Sequence, residues 1–188
     1  MAAQPRTRIS AVEYDLLPEY AQSDLIQLIN GEVVISMPPV LKHQAIVGEI
    51  LYLLMTTARR LGGKAYTSPV EVQLDDHNVF EPDVVFVSTD NLDITRRSDK
   101  RIIGAPDLVV EVLSPSTAKL DRQEKFQAYE AHGVKEYWIV DPAHEVVEVW
   151  NIGADGRYER RGVFADDDSL VSTVLGEQIG VRAIFNAQ

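Results

Sequence analysis

Apolar positions repeat at two different periods along this chain, and each period predicts a different element. Ile46, Val47, Ile50, Leu51, Leu53, Leu54 and Ala58 recur at helical spacing, so a helix is expected from about Leu41 to Leu61, with Gly62-Gly63 ending it. Leu25 to Ile29 and Glu32 to Ile35 flank Asn30-Gly31, whose tolerance of positive φ suits a β-hairpin. Ser10 and Glu13 have capping-box spacing, which places a short helix from about Ala11 to Leu17, before Pro18. Val84-Val85-Phe86-Val87 and Leu108-Val109-Val110 are continuous apolar runs of strand length, the pattern of strands covered on both faces.

Between these anchors, Ala65 to Leu74 reads as one strand. Asp75-Asp76-His77-Asn78 reads as a turn into the strand at Pro82 to Val87, and Ser88 to Ala105 as a polar surface loop. After the strand Leu108 to Leu113, Ser114-Pro115-Ser116-Thr117 halts the ladder and starts a helix that runs from about Ala118 to Ala131 and ends at Gly133. Glu136 to Val140 is a further strand, Val146 to Ile152 pairs with Tyr158 to Arg161, and the apolar Val181 to Phe185 tail tucks against the sheet. The order predicts an α/β fold, because neighbouring middle strands are joined by loops rather than helices: a mixed central sheet flanked by helices, with an N-terminal β-hairpin. Its 188 residues are expected to form a single domain.

Composition narrows the chemistry. No cysteine is present, so a metal would be held by oxygen or imidazole, which favours a hard cation such as Mg²⁺ or Mn²⁺. No apolar stretch approaches the roughly 20 residues of a membrane span, and the first residues lack a signal peptide's apolar core, so a cytoplasmic protein is expected. The formal net charge of −11 argues against a protein that coats nucleic acid. A nuclease is still compatible, since it needs only a local positive surface, for which Arg59-Arg60, Lys64, Arg96-Arg97, Lys100-Arg101, Lys119 and Arg122 are candidates.

One position breaks the apolar pattern. Glu111 interrupts a buried-type strand, and a carboxylate in such a place calls for a cation, a metal or a ligand. Asp83 opens the preceding strand, and Asp121 and Lys125 follow on one helix face at i, i+4 spacing. A Mg²⁺ between Asp83 and Glu111 would acidify a water and clamp a scissile phosphate, with a lysine steadying the developing charge. The competing account is an exposed Asp121–Lys125 pair worth about 0.3–0.5 kcal/mol and a Glu111 at a sheet edge. Tyr129 and Trp138 read as core packing, and His77, His132 and His144 as surface. Ser114 and Ser116 lack a His and Asp at any telling spacing, so a serine hydrolase is not expected.

Asn30-Gly31-Glu32, His43-Gln44, Glu81-Pro82-Asp83-Val84-Val85, the run from Pro106 to Thr117, Asp121, Lys125, Tyr129 and the run from Gly133 to Pro142 together resemble the Uma2 family of putative restriction endonucleases, within the PD-(D/E)XK nuclease superfamily. The likeness extends from about residue 10 to Ile184-Phe185. It implies a restriction-endonuclease-like core with Asp83 and Glu111 as metal ligands. The superfamily motif has a lysine two residues after the second acid, where this chain has Leu113. Lys125 is the natural substitute, since relatives with a migrated lysine present it from the following helix, and Asp121 would orient it. Glu32 is a further candidate ligand, and His43, at the start of the long helix, could bind metal or shuttle a proton. The expectation is therefore a Mg²⁺-dependent endonuclease acting on DNA as a homodimer. Its rivals are a non-catalytic binding or assembly module on the same fold, and a hydrolase of small phosphoesters.

Overall fold

Strands that are apolar on both faces need two covers, and a six-stranded sheet here receives one on each side. The computed structural model describes residues 8–18 and 25–186, so most of the leader-segment reading lies outside the described residues. In chain order the strands are β1 (Ile26–Ile29), β2 (Glu32–Ile35), β3 (Lys64–Thr67), β4 (Val72–Asp75), β5 (Asn78–Phe80), β6 (Val84–Val87), β7 (Ile102–Ile103), β8 (Leu108–Val112), β9 (Glu136–Asp141), β10 (Val146–Ile152), β11 (Tyr158–Ala165), β12 (Ser169–Ser172) and β13 (Glu177–Gly180). The helices are α1 (Ala11–Tyr14), α2 (Leu41–Leu61), α3 (118–131) and α4 (Val181–Phe185), with a 3-10 segment at Thr89–Thr95.

The six-stranded sheet has the order β11-β10-β9-β8-β6-β3. It is mixed as expected: β8 and β9 run parallel and α3 is their crossover, whereas β6 pairs antiparallel with both β8 and β3. Strand alternation decides which cover each residue meets. Leu108, Val110 and Val112 pack with Val84, Phe86 and the α2 residues Ile46, Ile50 and Leu54. Val109 and Leu113 lie on the opposite face, with Val85, Val87, and Ala128 and Tyr129 of α3. Glu111 shares the parity of 109 and 113, so the strand itself aims it at α3.

A second sheet, β2-β1-β5-β4-β7, contributes Ile29, Val72, Phe80 and Ile102 to that α3 face. The hairpin forms as predicted, with Asn30 and Gly31 at φ 52° and 77° and Ile29 opposite Glu32. Helix α1 starts with the expected capping box but stops at Tyr14, and α2 keeps its expected bounds and ends at Gly62 in the left-handed conformation.

Three expectations are corrected. The single strand over 65–74 is two strands in two sheets, because Pro69 has no N–H to continue a ladder and the chain crosses between sheets there. Before returning to the six-stranded sheet the chain adds β5 (Asn78–Phe80) to the second sheet, where only a turn at 75–78 leading into the strand at 82–87 was expected. Residues 88–105 contain the 3-10 segment and β7 rather than an unbroken loop, with Ile94 and Ile102 buried in the core. The tail is a helix whose Val181 and Ile184 are fully buried against α2 and the sheet. Those two side chains therefore cannot serve as dimer surface. Among the described residues no helix is long and apolar enough to cross a membrane.

Candidate active site

Pairing of β6 with β8 sets Val84 opposite Val110, and one step further along the same register Asp83 comes opposite Glu111. The structure holds them there. Asp83 Oδ2 accepts the N–H of Val112 at 2.7 Å, and the Asp83 carbonyl accepts Ser68 N–H and Thr67 Oγ1–H at 3.2 and 2.8 Å. Glu111 is 3% exposed in an interior strand, which removes the sheet-edge account.

Helix α3 meets Glu111 with two donors. Lys125 Nζ and the Tyr129 hydroxyl both donate to Oε1, at 2.8 and 2.7 Å. Lys125 and Asp121 are each 2% exposed, so their i, i+4 relation is a buried contact and not a surface pair. They stand at the two ends of a π-helical turn, Asp121–Lys125, inserted between α-helical segments. Such insertions carry one residue beyond the regular repeat and recur at functional sites. The Tyr137 hydroxyl donates to the Asp121 carbonyl at 3.0 Å, satisfying a backbone acceptor within the turn.

Charge is unevenly shared. Burial pushes the Glu111 carboxyl up to about 8, against the pull of Lys125 and with added repulsion from Asp121 and Asp83. Burial likewise raises Asp121, although Lys125 and Thr117 oppose it. At Lys125 burial works against the ammonium, but Glu111 and Asp121 outweigh it and raise the group above its ordinary value. Lys125 therefore keeps its proton, and burial favours the protonated forms of Glu111 and Asp121 beside it. Among the described residues, Asp121 Oδ1 is buried without a hydrogen bond, 3.5 Å from Lys125 Nζ.

His43 reaches the same place from α2. Its Nε2 is 2.9 Å from the Val112 carbonyl and 3.4 Å from Asp83 Oδ2. A carbonyl oxygen only accepts, so Nε2 carries a proton. Burial disfavours the imidazolium, yet Asp83, the Val112 carbonyl and Glu111 together raise its pKa. Among the described residues, His43 Nδ1 is buried without a hydrogen-bond partner.

The structure thus brings together Asp83, Glu111, Asp121, Lys125 and His43. Glu32 is exposed on β2, the edge strand of the other sheet, whereas these acids lie at the buried end of β8 and on α3. Much of the expected basic surface is already engaged by acids: Arg60 by Glu177, Arg97 by Asp93, Lys100 and Arg101 by Asp15, and Arg122 by Glu148. Trp138 is core, as expected, donating to Glu136. Tyr129 is not packing alone. Its spacing four residues after Lys125, in line with Asp121, could have shown it on the same helix face.

The donor set suits a hard cation. Among the described residues no three His, Asp or Glu side chains converge on one metal-holding point. Mg²⁺, however, is commonly held by one or two carboxylates with waters and substrate phosphate completing its shell. Asp83 and Glu111, adjacent across two strands, meet that requirement, and a bound cation would favour their ionised forms.

A family model described as Uma2, putative restriction endonuclease, matches residues 11–182. The chain belongs to the Uma2 family. Among solved structures, the crystal structure of a putative nuclease belonging to DUF820 from Anabaena variabilis ATCC 29413 is similar, with 22% identity and a TM-score of 0.77 over 94% of this chain and 97% of that one. At that identity the likeness concerns the fold, and it agrees with the expected mixed α/β architecture. A search of curated proteins found no match.

Proposed function

We propose that this Uma2 protein is an endonuclease that hydrolyses DNA phosphodiester bonds with Mg²⁺ or Mn²⁺ held by Asp83 and Glu111. The observation that carries the reading is the 2.8 Å bond from Lys125 Nζ to Glu111 Oε1. It delivers an amine to the acid pair from the next helix, where the motif position offers only Leu113. When bound, the cation supplies charge neutralisation at the phosphate and an acidified water. Lys125 brings a permanent positive charge to the acids and can hydrogen-bond to charge that develops on the phosphate. Asp121 holds the ammonium on its side of the pair, and His43 holds a proton at Nε2 beside Asp83. A homodimer would present two such sites, one for each strand of a duplex, and completes the proposal.

The test is cleavage of supercoiled, linear and single-stranded DNA with Mn²⁺ and with EDTA, alongside thermal melts. Cleavage should need the metal, and Mn²⁺ at a hundredfold its Kd should stabilise the protein by about 2.7 kcal/mol. Asp83→Ala and Glu111→Ala should lose both effects. No cleavage and no metal-dependent melting would leave the binding-module reading standing. Activity on a model diester but on no DNA would leave the small-phosphoester reading.

A further inference from the structure

We infer that Tyr129 is a positioning residue that decides which oxygen of Glu111 is offered to the divalent cation. The inference rests on the metal site proposed above and adds a residue to its control. A glutamate carboxyl turns about a broad, roughly two-fold terminal torsion, so one donor does not fix it. Here two donors fall on one oxygen: Lys125 Nζ at 2.8 Å and the Tyr129 hydroxyl at 2.7 Å both reach Oε1. Oε2 receives no hydrogen bond among the described residues, and it is not one of the enclosed, partnerless polar atoms. It is therefore the oxygen left to coordinate.

The tyrosine itself cannot swing away. It is fully buried, with its ring edge-on to Phe80 at 5.4 Å between centroids and tilted against Tyr137 at 5.1 Å. A neutral donor suits the task. It saturates Oε1 without bringing a second positive charge that would repel the incoming cation, which another lysine in its place would do.

Outer-shell hydrogen bonds of this kind typically change metal affinity by about 10–100-fold when removed. Tyr129→Phe deletes one oxygen and keeps the packed ring. Titrated calorimetrically with Mn²⁺, it should bind at least about tenfold more weakly than the unaltered protein, while kcat on DNA recovers at saturating Mn²⁺. A lower metal-free melting temperature with unchanged Mn²⁺ affinity would mean that the hydroxyl is structural and would overturn the inference. A second readout needs no loss of the hydroxyl: 3-fluorotyrosine at position 129 should give a ¹⁹F resonance that moves with Mg²⁺ over the concentrations that stabilise the fold. A silent resonance in a protein that Mg²⁺ does stabilise overturns it equally. If Asp83→Ala and Glu111→Ala bind Mn²⁺ as tightly as the unaltered chain, the metal site itself fails, an outcome separable from a failure of Tyr129 alone.

Discussion

Lys125 is the residue whose environment departs furthest from its sequence appearance. Read along the chain, it is one of 18 Lys and Arg residues and stands at ordinary spacing from an aspartate. In the fold it is 2% exposed between Glu111 and Asp121. Removing one partner of a buried ion pair costs about 3–5 kcal/mol, several times the value of a surface pair. Lys125→Ala should therefore abolish hydrolysis and lower metal-free stability by that order in a urea melt, whereas Lys119→Ala, exposed on the same helix, should change neither. Comparable residual activity in the two variants would rule out a catalytic lysine at 125. Glu111 makes a pH prediction of definite sign. Its carboxyl is raised from the ordinary 4.5 to about 8, so between those values the folded chain binds more protons than the unfolded one. The stabilisation is fully present below about 4.5 and is lost as pH rises through about 8. Glu111→Gln should flatten this part of the stability profile, measured without divalent ions, and a profile unchanged by the substitution would contradict the assignment. Asp83, Glu111 and Lys125 were legible as types and spacings, and the apolar run around Glu111 marked its burial. The burial of Lys125 was not legible, because it follows from how two sheets and α3 meet rather than from local periodicity.

Helix α3 was predicted at its observed bounds, yet a heptad-like reading gives no sign of a π-helical turn inside it. The turn matters because it sets the angle between Asp121 and the following residues Lys125 and Tyr129. Gln123 is exposed within it, so deleting Gln123 would remove the extra residue and leave no hole in the core. The deletion would set Asp121 and Lys125 at i, i+3 spacing on a regular α-helix, on one face but at a changed angle. It should cut activity while far-UV circular dichroism stays near that of the parent. Retained activity would show that Asp121 has no part in holding the lysine. The segment 65–74 shows the opposite limit of sequence reading. Alternation identified extended chain there, but alternation says nothing about which sheet a strand joins, and Pro69 was the sole local sign of the change.

For the molecule as a whole, a net charge of −11 and a basic surface largely paired with acids make unaided contact with a polyanion unfavourable. DNA binding should therefore be negligible in EDTA at about 0.15 M salt and appear with Ca²⁺, which fills oxygen sites without supporting hydrolysis, as read by fluorescence anisotropy. Equal affinity in EDTA and Ca²⁺ would separate DNA binding from the acid pair. Two of the chain's crossings between sheets have a mechanical meaning as well. It leaves the six-stranded sheet near Pro69 and re-enters it through Asp83, and the outgoing crossing grips the returning one where Thr67 Oγ1–H and Ser68 N–H meet the Asp83 carbonyl. Asp83 thus stands at the seam of two layers while Glu111 lies inside one of them. A cation that tied these two acids together would pin the chain's point of re-entry to β8, so that the start of β6 could not peel from its neighbour without first giving up the ion.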